Sequence, residues 1–240
     1  MNFLKQLFII LGKPLDIWSY KACRCSEEEC ILLNKIFKNW LFVGPHPDDV
    51  ELGCGGSIAK YSKSNVNIYY LIISPAIEDP RNKNILQEME NAAEILGLKR
   101  ENIFVLKYPR RVLHDFRADI RQDLIRVVKE VEPDVIFTTT PDDLHQDHSV
   151  IGEEILRLFR ERSVIGYEVI RSSINFTANF YIELTEEHID RKIRALMEYK
   201  SQLDRYYFNP EVIRSLAKMR GAQVKAPYAE AFKAMRLVVR

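Results

Sequence analysis

Leu41-Phe42-Val43-Gly44-Pro45-His46-Pro47-Asp48-Asp49-Val50-Glu51-Leu52-Gly53-Cys54-Gly55-Gly56 is the stretch that decides the fold. Leu41 to Gly44 is a short, continuous apolar run, the pattern of a buried strand, and it stops at Pro45. Pro45 and Pro47 disfavour helical backbone at Gly44 and His46, so the loop that follows stays extended and stiff. Gly55 to Lys63 then reads as a helix. A strand, a rigid loop rich in His and Asp, and a helix together make the first unit of an α/β sheet with ligating side chains at the strand's carboxyl end. Gly53, Gly55 and Gly56 permit close approach of a ligand at the helix start, though close packing of helix on sheet accounts for them equally well. The stretch is not G-x-G-x-x-G, and its carboxylates would repel a pyrophosphate.

The same alternation continues downstream. Val66 to Ile73 reads as a strand. Asn84 to Leu96 has apolar residues at helical spacing and Gly97 as its stop. Ile103 to Lys107 is a strand, Arg117 to Val131 a helix, Val135 to Thr139 a strand, and Val150 to Glu161 a helix. Such β-α alternation predicts a Rossmann-like, doubly wound, mostly parallel sheet with helices on both faces. After Gly166 the pattern changes. Tyr167 to Ser172 and Asn179 to Leu184 read as strands, Thr185 to Arg205 as one long helix capped by Thr185, Pro210 to Met219 as a further helix, and Ala231 to Val239 as a last strand. This C-terminal β/α extension belongs to the same domain, residues 40–240, with residues 1–39 as an N-terminal helical extension.

A second knot, His145-Gln146-Asp147-His148, lies a hundred residues after the first and follows the fourth strand. The chain has five histidines, and three sit in these two knots. Ligand sites of open α/β sheets lie beyond the carboxyl ends of strands, where the strand order reverses. If the first and fourth strands are neighbours, the knots face each other there. His and Asp are the side chains that hold a catalytic divalent metal, and a site with few protein ligands keeps a position open. Of two adjacent carboxylates, one can bind metal while the other holds a proton. Of His145 and His148, one can ligate while the other serves as an acid or an oxyanion donor, and Asp147 can orient His145.

Gly44-Pro-His-Pro-Asp-Asp-Val-Glu-Leu-Gly-Cys-Gly-Gly56 with Asp143-Leu-His-Gln-Asp-His148 resembles the PIG-L/LmbE family of zinc-dependent de-N-acetylases. Asn91 to Gly97, Tyr199 to Gln202, Arg220-Gly221 and Tyr228 to Phe232 are weaker supporting marks, and the resemblance runs from about Leu41 to the C-terminus. It implies hydrolysis of the N-acetyl group of an amino sugar or its conjugate, with one zinc ion per chain. It implies His46, Asp49 and His148 as the metal ligands and Asp48 as the general base. His145 would stabilise the tetrahedral intermediate or protonate the leaving amine, with Asp147 as its partner. Two departures stand out. Gln146 replaces a proline common in the second motif, and Ser74-Pro-Ala76 replaces a Thr-Asp-Gly-like turn. Tyr108-Pro-Arg110-Arg111, at the end of the third strand, offers two guanidiniums to a phosphate or carboxylate. The expectation is an anionic, nucleotide-linked or lipid-phosphate-linked amino sugar.

Composition sets the limits. A chain of 240 residues with net charge +1 and interspersed signs has no basic tail or run that would require nucleic acid. Cys23, Cys25 and Cys30 do not have zinc-finger spacing. Reduced thiols in a cytoplasmic protein are expected, with a disulfide or accessory metal site as the alternative. Met1 to Leu11 is too short to span a bilayer and lacks a cleavage site, so it reads as a docking or interfacial helix. The oligomeric state is left open, a homo-oligomer included. Three rival readings remain: a non-catalytic carbohydrate-binding protein on the same fold, a Rossmann oxidoreductase, and a two-metal phosphoesterase, which needs more carboxylates than these loops supply.

Overall fold

In the computed structural model, which describes residues 37–239, the buried run becomes β1 (Asn39–Gly44), an interior strand of a seven-stranded sheet. The other strands are β2 (Asn67–Ile72), β3 (Ile103–Val105), β4 (Val135–Thr138), β5 (Ser163–Tyr167), β6 (Phe180–Leu184) and β7 (Tyr228–Arg236), in the order β3-β2-β1-β4-β5-β7-β6. The first five are mutually parallel, and β7 runs antiparallel to both β5 and β6. β1 pairs with both β2 and β4, so the chain reverses direction across the sheet between β1 and β4. That is the crevice where open α/β sheets take ligands. Expectations for Met1 to Leu11 and for Cys23, Cys25 and Cys30 lie outside the described residues.

The two faces follow from the period of two along each strand. Trp40, Phe42, Tyr70, Ile72 and Phe137 enter one apolar cluster, under α1 (Asp49–Tyr61), α2 (Ile85–Leu96) and α5 (Glu186–Leu196). Leu41, Val43, Leu71, Ile73 and Ile136 enter the other, under α3 (Arg117–Val131) and α4 (Gln146–Leu158). Every β1 residue from Trp40 to Gly44 is buried, as the continuous apolar run requires. Gly97 ends α2 with φ +85°, a left-handed turn that favours glycine.

Several boundaries differ from the sequence reading; the last strand, for one, is Tyr228–Arg236 rather than Ala231 to Val239, and four differences bear on the site. α1 begins at Asp49 rather than Gly55, and α4 begins at Gln146 rather than Val150, so each knot runs directly into its helix. β5 is Ser163–Tyr167, and the residues from Glu168 to Ser172 form a loop instead of a strand. The expected long helix after Thr185 ends at Leu196. Short 3-10 turns at Lys200–Gln202 and Tyr206–Phe208 follow before α6 (Pro210–Gln223). Thr185 does cap α5, and its backbone N–H donates to His188 Nδ1 at 3.1 Å.

Candidate active site

The β1–α1 and β4–α4 connections meet over the switch point and bring His46, Asp48, Asp49, His145, Asp147 and His148 together. Asp49 is the first residue of α1 and accepts the His46 backbone N–H at 2.9 Å, which closes the loop on itself. Its Oδ2 then lies 3.3 Å from His46 Nδ1 and 3.2 Å from His148 Nε2. Both imidazoles therefore converge on one carboxylate oxygen. The second nitrogen of each ring is held from behind by another carboxylate. His46 Nε2 lies 2.9 Å from Asp147 Oδ2, and His148 Nδ1 lies 3.3 Å from Asp143 Oδ1. Asp143 is fixed in turn by Ser173 Oγ at 2.8 Å and Ser172 Oγ at 3.1 Å. Carboxylates behind metal-binding histidines fix tautomer and ring orientation in just this way.

Donors bound to one tetrahedral ion at about 2.0–2.2 Å stand about 3.3 Å apart. His46 Nδ1, Asp49 Oδ2 and His148 Nε2 fit that test: the two nitrogens lie at that distance from the oxygen between them. The nitrogens of His46, His145 and His148 also come within 4.8 Å of one another, so His145 is a competing third donor. Its hydrogen bonding argues otherwise. His145 Nδ1 accepts the Asp147 backbone N–H at 3.1 Å, so the ring proton sits on Nε2, which leaves that nitrogen a donor and not a lone pair for metal. Among the described residues no carboxylate bonds to the His145 ring, which instead stacks on His148 with ring centres 4.4 Å apart. The expected pairing of Asp147 with His145 is thus made through the backbone alone, and the Asp147 side chain serves His46.

Asp48 occupies the N-cap position of α1 but makes no capping bond, and its backbone has φ +89°, in the left-handed region. Such backbone costs a non-glycine residue on the order of 1–3 kcal/mol and concentrates at functional sites. The carboxylate faces the cleft with Arg205 Nη1 at 3.4 Å. Burial pushes the Asp48 carboxyl well above its usual range, and the neighbouring Asp49 adds to this while Arg205 opposes it. Burial also lowers His145 to about 4, helped by His148 and His46. On His148 burial acts downward too, but Asp49 and Asp143 outweigh it and raise the imidazole to about 10. Asp49 is held well below the carboxylate range by His148 and His46 against its burial.

The knots form the floor of a cleft of about 420 Å³. Arg110 and Arg111 both line it, though they differ in role. Arg110 Nη2 lies 2.6 Å from Asp79 Oδ2, so its charge is already matched, whereas the Arg111 side chain makes no ion pair among the described residues. Among the lining residues that escaped the sequence reading are Arg81, Arg171, Arg205 and Tyr207. Arg171 comes from a segment read as a strand and Arg205 from the end of one read as a helix, and the breaks in those elements bring them to the cleft.

An α/β sheet with a His/Asp nest over its β1/β4 crevice accords with the family that the two motifs resemble. The chain belongs to that family: the PIG-L profile, described as GlcNAc-PI de-N-acetylase, matches residues 41–159. "Uncharacterized deacetylase YaiS" of Escherichia coli (strain K12) is 28% identical over 173 residues, which cover 68% of this chain and 91% of that one. The diacetylchitobiose deacetylase of Thermococcus kodakarensis is 22% identical over 224 residues, covering 82% of each. Among solved structures, N,N'-diacetylchitobiose deacetylase from Pyrococcus horikoshii superposes with TM-score 0.70 at 21% identity, covering 88% of this chain and 93% of that one, and shares the fold.

Proposed function

We propose that the protein is a zinc-dependent hydrolase that removes the acetyl group from an N-acetylated amino sugar or its conjugate, releasing acetate and a free amine. One observation carries this reading: two imidazoles share Asp49 Oδ2, and each is backed by its own carboxylate. His46, Asp49 and His148 would hold the ion, which when bound supplies Lewis acidity to the amide carbonyl and to the attacking water. Asp48 takes the proton from that water as its oxygen attacks the acetyl carbon. His145, neutral with its proton on Nε2, donates a hydrogen bond to the oxyanion that develops on the former carbonyl oxygen. It serves as an electrophile rather than an acid, because protonating Nδ1 would set two donors against each other at the Asp147 N–H. The proton on Asp48 then passes to the amine as the C–N bond breaks, leaving acetate.

The test is acetate release from a panel of N-acetylated sugars and nucleotide sugars by the zinc-loaded chain, with metal content measured alongside. About one zinc per chain together with acetate is expected. Full metal loading with no acetate from any sugar would remove the reading.

A further inference from the structure

Among the described residues, Arg205 is the only one whose side chain comes within hydrogen-bonding distance of the Asp48 carboxylate, with Nη1 3.4 Å from Oδ2. Asp48 is 5% exposed and makes no capping bond to α1. A buried carboxylate with a single partner takes its orientation from that partner. The contact is made by Oδ2, so Oδ1 is the atom left to accept a proton from water.

Arg205 is itself held on every side. Its Nη1 also donates to the Tyr207 hydroxyl oxygen at 2.7 Å, and the guanidinium lies 6.0 Å from the centre of the Tyr207 ring. Its backbone N–H donates to the Gln202 carbonyl at 3.0 Å and its carbonyl accepts the Phe208 N–H at 2.9 Å, so Arg205 joins the two 3-10 turns. The first turn is anchored in turn. Ser201 donates to the Glu88 carboxylate of α2 through its N–H at 3.1 Å and its Oγ at 2.6 Å, and Gln202 Nε2 donates to Asn82 Oδ1 at 2.8 Å. A long side chain on a free loop would lose backbone and rotamer entropy each time it oriented a neighbour. Here that ordering is complete once the chain has folded.

A general base works when its oxygen lies within about 2.6–3.2 Å of the atom whose proton it takes. We propose that Arg205 is a positioning residue of the hydrolysis: it sets the direction of the Asp48 carboxylate, while the Tyr207 hydroxyl and the two 3-10 turns set the direction of Arg205. It acts through Asp48 and contacts neither the acetyl group nor the ion. The guanidinium stays charged throughout. Water gives its proton to Asp48 Oδ1 as the water oxygen bonds to the acetyl carbon, and that proton later leaves with the amine. The role rests on the deacetylase reading, in which Asp48 is the base.

A double-mutant cycle of Arg205→Gln and Asp48→Asn tests it, read as acetate release from N-acetylglucosamine by the zinc-loaded full chain. Arg205→Gln is expected to lower kcat on the order of 10²-fold, with KM and zinc content unchanged. In the Asp48→Asn background the same substitution is expected to cost nothing further, because the two residues act as a unit. Arg205→Lys, which keeps the charge without the fork, is expected to restore part of the rate. Tyr207→Phe keeps every charge and is expected to lower kcat less than Arg205→Gln does, again only while Asp48 is present. A raised KM at unchanged kcat would make Arg205 a substrate-binding residue and overturn the proposal, as would equal losses in the two backgrounds. Crystals of the zinc-loaded parent and of the Arg205→Gln and Tyr207→Phe variants give a readout without turnover. The Asp48 carboxylate is expected in one orientation in the parent and rotated or split in the variants, and an unmoved carboxylate sinks the idea. A parent that releases no acetate from any sugar removes the deacetylase reading, and the position of Asp48 in those crystals still decides what Arg205 does.

Discussion

Asp48 and Asp49 are adjacent and both buried, yet they face different tasks because the left-handed turn at Asp48 separates their side chains. Asp48→Asn should retain zinc and lose roughly 10²–10⁴-fold in kcat, the usual worth of a general base. Loss of zinc instead would mean that the two roles are exchanged. Asp147→Asn tests the carboxylate behind His46. Zinc affinity should fall about 10–100-fold, while a far smaller change would show that the His46 contact is idle. Glu51, buried two positions on, accepts from Tyr70 OH and Tyr199 OH at 2.8 Å each. Burial raises it from 4.5 to about 7 against those two hydrogen bonds. Its folded pKa lies above its unfolded one, so its stabilising contribution is complete below about pH 4.5 and is lost as pH rises through 7. Between pH 4.5 and 8, Glu51→Gln should therefore gain on the parent by up to about 3 kcal/mol in urea unfolding of metal-free protein.

At the scale of the element, α4 shows how closely the site depends on packing. A Cβ on Gly152 would come within 2.6 Å of the Thr139 carbonyl oxygen and 2.9 Å of the Pro141 nitrogen, both backbone atoms of the loop that starts the second knot. Gly152→Ala should cost about 1–3 kcal/mol by overpacking, and should lower zinc affinity as well because His148 is one turn away on the same helix. A fully stable, fully zinc-competent variant would refute that coupling. The strand–knot–helix units were legible because they combine local signals: a buried apolar run, stiff prolines, and ligating residues at the strand end. β5 was not. Ser163-Val-Ile-Gly-Tyr is defined by its pairing with β4, Val135 opposite Ser163, and that long-range register leaves no local trace. The break after Leu196 was hidden for the opposite reason. Tyr199 and Leu203 continue the helical spacing, but the chain turns away so that Gln202 Nε2 can donate to Asn82 Oδ1 at 2.8 Å. Both misjudged segments end at the cleft, so Arg171 and Arg205 were unreadable as site residues.

For the whole molecule, the proposed ion ties two halves of the sheet together. Zinc at about a thousandfold excess over its Kd should add roughly 4 kcal/mol to unfolding, and raise Tm by about 10 °C for a domain of this size. His148→Ala should abolish most of that shift in a thermal melt, whereas His145→Ala should leave it. Equal losses in both variants would make His145 a ligand. No helix among the described residues is long and apolar enough to cross a membrane.

Glu230, on β7, accepts the backbone N–H groups of Gly56 and Ser57 in the middle of α1 at 2.8 and 2.7 Å, and pairs with Lys192 Nζ at 2.7 Å. Lys192 in turn donates to the Leu52 carbonyl at 2.6 Å. Both ends of this tie are buried, and removing one partner of such a pair typically costs about 3–5 kcal/mol. The helix that presents Asp49 is therefore braced by a residue some 180 positions later in the chain. During synthesis the two His/Asp knots leave the ribosome long before their brace does. A nascent chain halted between His148 and Glu230 would carry every residue of the proposed reaction and still lack the clamp that holds the first of them in place.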